Sequence, residues 1–186
     1  MSPYCVQRCD QISLSMANKD HEIIWEEIKP SIDLIETYMN AFIHLAQDLG
    51  REEDDYRLTN LKRTFCRGIM IAASSKYLPV KNKPNREGYD FNAPAIVYCY
   101  EQLYKDIREK NIAAGAKVVP TDADIHEEAK NWTFLGIHPE ITDAAIKAYN
   151  EKKDYTSTIS VFIKDKSLDF NAPAVKAVKG FFKKLF

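Results

Sequence analysis

Glycine is scarce in this chain, with six among 186 residues, so the tight hairpins and bulges on which all-β folds depend lack their usual residue. No apolar run approaches the roughly 20 residues needed to span a bilayer. The opening MSPYCVQRCD also lacks the apolar stretch of a secretory signal. Missing too are a glycine-rich phosphate loop, a dinucleotide fingerprint, a G-x-S-x-G elbow and an H-E-x-x-H pair. The four histidines, His21, His44, His126 and His138, fall in no metal-ligand or acid/base spacing, although His44 neighbours an apolar helix face and reads as a core-edge residue. Glu26-Glu27 and Glu127-Glu128 are adjacent, so on a helix they diverge and cannot work as a pair. These absences lead us to expect no catalytic residue, no metal and no cofactor. An enzyme would need a site assembled from distant residues.

Four cysteines are present. Without a secretory signal they read as free thiols in a reducing compartment, and the expected setting is the cytoplasm, with peripheral attachment at a membrane as a variant. Cys66 and Cys99 fall on apolar helix faces, where cysteine behaves as a small hydrophobe. Cys5 and Cys9 share a helical spacing but have no second ligand pair.

What is plentiful is helical periodicity. Little of it appears before Asn18, so residues 1–17 read as a loosely ordered segment. Ile23, Ile24, Trp25 and Ile28 make a first apolar patch, which Pro30 should kink or break. Ser31 is then placed to cap a second helix with the face Ile35, Tyr38, Phe42, Leu45 and Leu49, closed by Gly50. Glu52 to Asp55 put carboxylates at the start of the next helix, where the helix dipole favours them, and Leu58, Leu61, Phe65, Ile69 and Ala72 form its stripe. Together these predict an antiparallel hairpin from about Ser31 to Ser75. A third helix carries Ile96, Cys99, Leu103 and Ile107 and ends before Gly115. Thr121 with Asp124 resembles a capping box opening a short helix to Trp132, and Pro139 opens another. Thr156 to Lys164 is rich in β-branched residues, but its only candidate partner is Lys117 to Val119; a lone strand pair is marginal, so a helix is expected. The fold class is therefore all-α: a single-domain helical bundle of about six or seven helices over 18–186, with at most a minor two-stranded element.

The hexapeptide DFNAPA occurs at Asp90–Ala95 and again at Asp169–Ala174. In both copies Asn can cap a helix, Pro sits in the first turn, and Phe91 or Phe170 can staple to Ile96 or Val175. What the copies share is a cap, a staple and an apolar stripe, so they read as helix starts rather than as a repeated ligand site.

Charge is strongly segregated. From Asp10 to Asp55 twelve acids face three bases, a net −9; from Tyr56 to Arg86 eight bases stand without an acid, a net +8. An acidic helix paired with a basic one accounts for Arg57 to Arg67, but it handles the bases further on poorly. The candidate anion-binding residues are Arg63, Arg67, Lys76, Lys81, Lys83 and Arg86. The end of the chain, residues 172–186, reads as a basic amphipathic helix. Its candidate partner- or membrane-binding residues are Lys176, Lys179, Phe181, Phe182, Lys183, Leu185 and Phe186. These features point to a non-enzymatic adaptor, assembly or effector-type module that meets an anionic or apolar partner. A protein partner stands first, with nucleic acid (a nucleocapsid-like role) and an anionic membrane surface as alternatives.

Overall fold

The computed structural model describes the backbone over residues 3–48, 52–77, 93–134 and 138–164, with side chains from residue 19 onward apart from 46 and 52–56. Six helices run through these residues: α1 (Pro3–Asp48), α2 (Glu52–Tyr77), α3 (Ala93–Ala113), α4 (Asp122–Phe134), α5 (Pro139–Asn150) and α6 (Tyr155–Lys164). The fold is all-helical, and the described residues contain no strand: Val118 and Val119 lie in the α3–α4 connection, and Thr156 to Lys164 belong to α6.

Pro30 does not end a helix. It lies inside α1, which is continuous from Pro3 to Asp48. An internal proline removes one backbone hydrogen bond and costs about 3 kcal/mol. Fully buried Ile28 and Ile32 flank it, and burying a side chain of that size contributes about 1.5–3 kcal/mol, so packing on the two flanks offsets the break. Ser31 accordingly caps nothing. Its Oγ donates to the Tyr155 hydroxyl at 3.3 Å, tying α1 to α6.

The chain groups into two compact units, one of Met1–Lys29 with Ala73–Leu135 and one of Pro30–Ala72 with Gly136–Phe186. In the first, Ile24, Trp25 and Ile28 of α1 are buried, as are Ala95, Ile96, Cys99, Tyr100 and Leu103 of α3 and Ile125, Ala129 and Trp132 of α4. Ile23, expected in the same patch, points to solvent at 44 % exposure. The cause is geometric, because its position is about 160° round the helix from Trp25 and about 140° from Ile28. Helices α3 and α4 run antiparallel, pairing Glu101 with His126 and Arg108 with Asp122. Their connection is well specified. Ala116 N donates to Asn111 O and Gly115 N to Ile112 O, each at 2.9 Å, with Gly115 at φ 92°, which is a Schellman ending. The capping box then opens α4: Thr121 N donates to Asp124 Oδ2 at 2.9 Å and Asp124 N to Thr121 Oγ1 at 3.2 Å.

In the second unit the buried residues are Ile32, Ile35, Tyr38, Met39 and Phe42 of α1, and Leu58, Leu61, Phe65, Cys66, Ile69 and Met70 of α2. Ile141 and Ala145 of α5 and Ile159 and Ile163 of α6 complete the core. The stripe expected on α2 is therefore in place there, and that on α1 as far as Phe42; Leu45 is half-buried, and Leu49 with the closing Gly50 lies outside the described residues. Tyr38 and Ser160 share a 2.7 Å hydrogen bond between α1 and α6. Gly68 lets α2 approach α5 closely, since a Cβ built on it would lie 2.5 Å from Ala145 Cβ and 2.7 Å from Thr142 O. Asp154 opens α6 by accepting hydrogen bonds from Thr156 and Ser157, which hold its carboxyl below the usual range even though its partial burial acts the other way.

Candidate functional site: the basic face of α2 and its carboxylate partners

On α2, Arg63 and Lys62 take neighbouring positions beside the apolar stripe and face α1, where Glu36 occupies the same kind of position between Ile32 and Met39. Arg63 is 5 % and Lys62 6 % exposed. The Arg63 guanidinium bonds Glu36 Oε1, while Lys62 Nζ lies 3.4 Å from Glu36 Oε2 and donates to Asn40 Oδ1 at 2.8 Å. Burial, and then the Arg63 charge, push the Lys62 ammonium below its ordinary proton affinity, against the pull of Glu36. Arg63 thus stands in the interior rather than on an anion-binding surface. The physical reason is that Glu36 offers it a carboxylate one helix away, where an isolated charge would be prohibitive to bury.

Next to this cluster, the Cys66 thiol is pushed up to about 12, chiefly by burial and then by Glu36. Burial does the same to Cys99. Both are free thiols and, at neutral pH, protonated and inert.

Further along α2, in the other compact unit, Lys76 Nζ lies 2.6 Å from Glu27 Oε1, and the Tyr77 hydroxyl donates to Glu27 Oε2. That hydrogen bond to the carboxylate raises the Tyr77 proton affinity. Lys76 keeps about half its side chain in water, so this is an exposed pair of small stabilising value. Arg67 is half-buried. Of the remaining sequence candidates, Lys81, Lys83 and Arg86 lie outside the described residues. So do Lys176, Lys179, Phe181, Phe182, Lys183, Leu185 and Phe186, together with the second DFNAPA copy. For the first copy, α3 begins at Ala93 with Pro94 in its first turn, as a helix start requires, while the expected cap Asn92 and staple Phe91 lie outside the described residues.

The histidines go to separate places. His21 is buried against Tyr98, ring centroids 5.7 Å apart, and burial lowers its proton affinity. His44 is exposed rather than at the core edge. His126 pairs with Glu101, and His138 precedes α5 without a side-chain cap. Among the described residues, no group of three or more His, Cys, Asp and Glu side chains could hold a metal ion, and no helix is long and apolar enough to cross a membrane.

The Glu36 cluster was missed by a reading that treated stripes as purely apolar. Its signal was present: Glu36 recurs with Ile32 and Met39 at spacings of four and three, and Arg63 with Cys66 and Met70 at three and four. The class that fold and site define is an all-helical protein whose basic helix is matched to an acidic one. No family model matches the chain, and comparison with curated proteins and with solved structures returns no match.

Proposed function

We propose that the protein works by binding, as a non-enzymatic interaction module. In this reading Lys81, Lys83 and Arg86, after α2, and the basic amphipathic stretch 172–186 meet the acidic face of a protein partner. The observation that carries it is the allocation of charge. The α1 carboxylates Glu36 and Glu27 already hold Lys62, Arg63 and Lys76, whereas Lys81, Lys83 and Arg86 follow in a stretch from Tyr56 with no acid of its own. A run of bases in which the first acid is Glu87 favours an anionic ligand. The free Cys66 and Cys99 thiols suit a reducing, cytoplasmic setting.

The test uses the full chain against three polyanions at rising salt: a poly-glutamate peptide, phosphatidylserine vesicles and single-stranded RNA. Binding to the acidic peptide should weaken about tenfold or more on combined reversal of Lys81→Glu, Lys83→Glu and Arg86→Glu, with helical circular dichroism unchanged. Binding to RNA alone, with a steep salt slope, would replace the protein partner by a nucleic acid. Vesicle binding lost on Phe182→Glu would replace it by a membrane surface. Indifference of all three probes to the reversals would refute the proposal.

A further inference from the structure

The α3–α4 connection displays apolar side chains in water on a backbone that is held in place. Val118 is 90 % and Ile112 52 % exposed, and Ala113, Ala114 and Ala116 beside them are exposed as well. A mobile loop can hide such residues or let them fluctuate, but this one is clamped. Gly115 closes the Schellman ending of α3, the Thr121–Asp124 box opens α4, and Arg108 Nη1 spans the two, donating to Pro120 O at 3.2 Å and to Asp122 Oδ1 at 2.7 Å. A tip ordered in advance loses little entropy on docking, and aliphatic groups fixed in solvent are what an interface core requires. Lys117 adjoins Val118 and Lys110 ends α3, both exposed, and from Lys110 to Thr121 the sequence carries no acid.

A complementary surface lies in the same compact unit. On the outward side of α1, opposite buried Ile24, Trp25 and Ile28, the exposed residues are Lys19, Glu22, Ile23 and Glu26: an apolar side chain beside two carboxylates and one lysine, so the face stays net negative. Within one copy the two surfaces cannot meet. Tyr98 feels the charges of Glu22 and Glu26, and Ile112 lies roughly 20 Å further along α3 at 1.5 Å per residue. We propose that the tip of one copy seats on the α1 face of a second copy, with Val118 and Ile112 against Ile23, and Lys117 against Glu22 and Glu26. Each copy offers one tip and one face, so the contact is heterologous: it closes as a two-fold pair where both tips engage and otherwise continues from copy to copy. The exposed carboxylates Glu109 and Asp124 at the foot of the tip would meet an anionic bilayer as like charges, which disfavours it as the occupant. Contacts made by so few side chains give a concentration-dependent association rather than an obligate one.

The inference is independent of the function proposed above, because neither surface includes residues 76–86 or 172–186. Sedimentation velocity on the full chain from about 10 to about 500 µM should show reversible self-association, weakened about tenfold by Val118→Asp and equally by Ile23→Asp. Lys117→Glu and Glu26→Lys should each weaken it, and the double variant should restore it. All four positions are exposed, so native circular dichroism is expected throughout and serves as the control. A chain monomeric across that range overturns the proposal, as does association indifferent to Val118→Asp. Vesicles of phosphatidylcholine with about 30 mol% phosphatidylserine are included; binding to them that Val118→Asp abolishes would assign the tip to a membrane and also overturn it.

Discussion

Lys62 Nζ stands 3.4 Å from Glu36 Oε2 with both side chains more than nine-tenths buried, and the Arg63 guanidinium shares the same carboxylate. One buried anion therefore serves two cations, and the two sides of the cluster are not equivalent. Removing the anion strands both cations, whereas removing Lys62 leaves the Arg63–Glu36 pair intact.

Glu36→Gln is accordingly expected to destabilise the fold by about 3–5 kcal/mol, the usual penalty for breaking a buried pair from one side. Lys62→Met keeps the length of the side chain, removes a desolvated charge and should be neutral or stabilising by about 1 kcal/mol. Urea-unfolding midpoints of the two variants, with unchanged slopes, check the asymmetry. Equal losses in both would mean that Lys62 contributes more through Asn40 than burial takes away.

A dependence on pH follows with a definite sign. Burial first, and Arg63 second, lower the proton affinity of Lys62 in the folded state from the ordinary 10.5. Between the folded and the unfolded value the unfolded chain binds more protons, so stability rises with pH in that window. Below the folded value the penalty is present in full; above 10.5 it is gone. Cys66 and Cys99 act oppositely, because their folded values of about 12 exceed the ordinary 9.0 and stability falls as pH climbs through that interval. The Lys62 contribution is thus read as the difference between wild type and Lys62→Met, which should shrink as pH approaches 10.5. A difference constant from neutral pH to 10.5 would contradict it.

Gly68→Ala sets two effects against each other. Alanine is favoured over glycine in a helix interior by about 1 kcal/mol, but the added Cβ would meet Ala145 Cβ at 2.5 Å and the Thr142 carbonyl at 2.7 Å. The second contact is with backbone and cannot be relieved by a rotamer change. Overpacking of about 1–3 kcal/mol should win. The expected result is a net loss, read as a drop of a few degrees in Tm on a reversible thermal scan.

The two buried cysteines should also resist modification. In the native protein at pH 8, iodoacetamide labelling followed by peptide mass spectrometry should leave Cys66 and Cys99 largely unreacted, with full labelling in guanidinium chloride. Rapid native labelling of Cys66 would show that the core around Glu36 opens readily.

The helices and their buried faces were largely legible in the sequence, and particular residues show why. Ile35, Tyr38 and Phe42, like Leu58, Leu61, Phe65 and Ile69, recur at three and four, and each is buried; periodicity of that kind reports a face directly. The Thr121–Asp124 box was equally readable, because both partners lie within one turn. Pro30 was misleading, since a local rule about proline does not contain the packing of Ile28 and Ile32. The candidate anion site divided in the same way: Arg63 and Lys76 were visible as bases, but their carboxylate partners are 27 and 49 positions away in the chain.

The sequence by itself determined the all-helical class, the stripes, the helix starts at Thr121 and Pro139, and the division into an acidic and a basic stretch. All of these depend on interactions within a few residues. Only the tertiary structure decided which charges meet. Glu36 draws Arg63 and Lys62 into the interior because folding brings α1 and α2 side by side, and the energy of a charge depends on what surrounds it in space rather than on its neighbours along the chain.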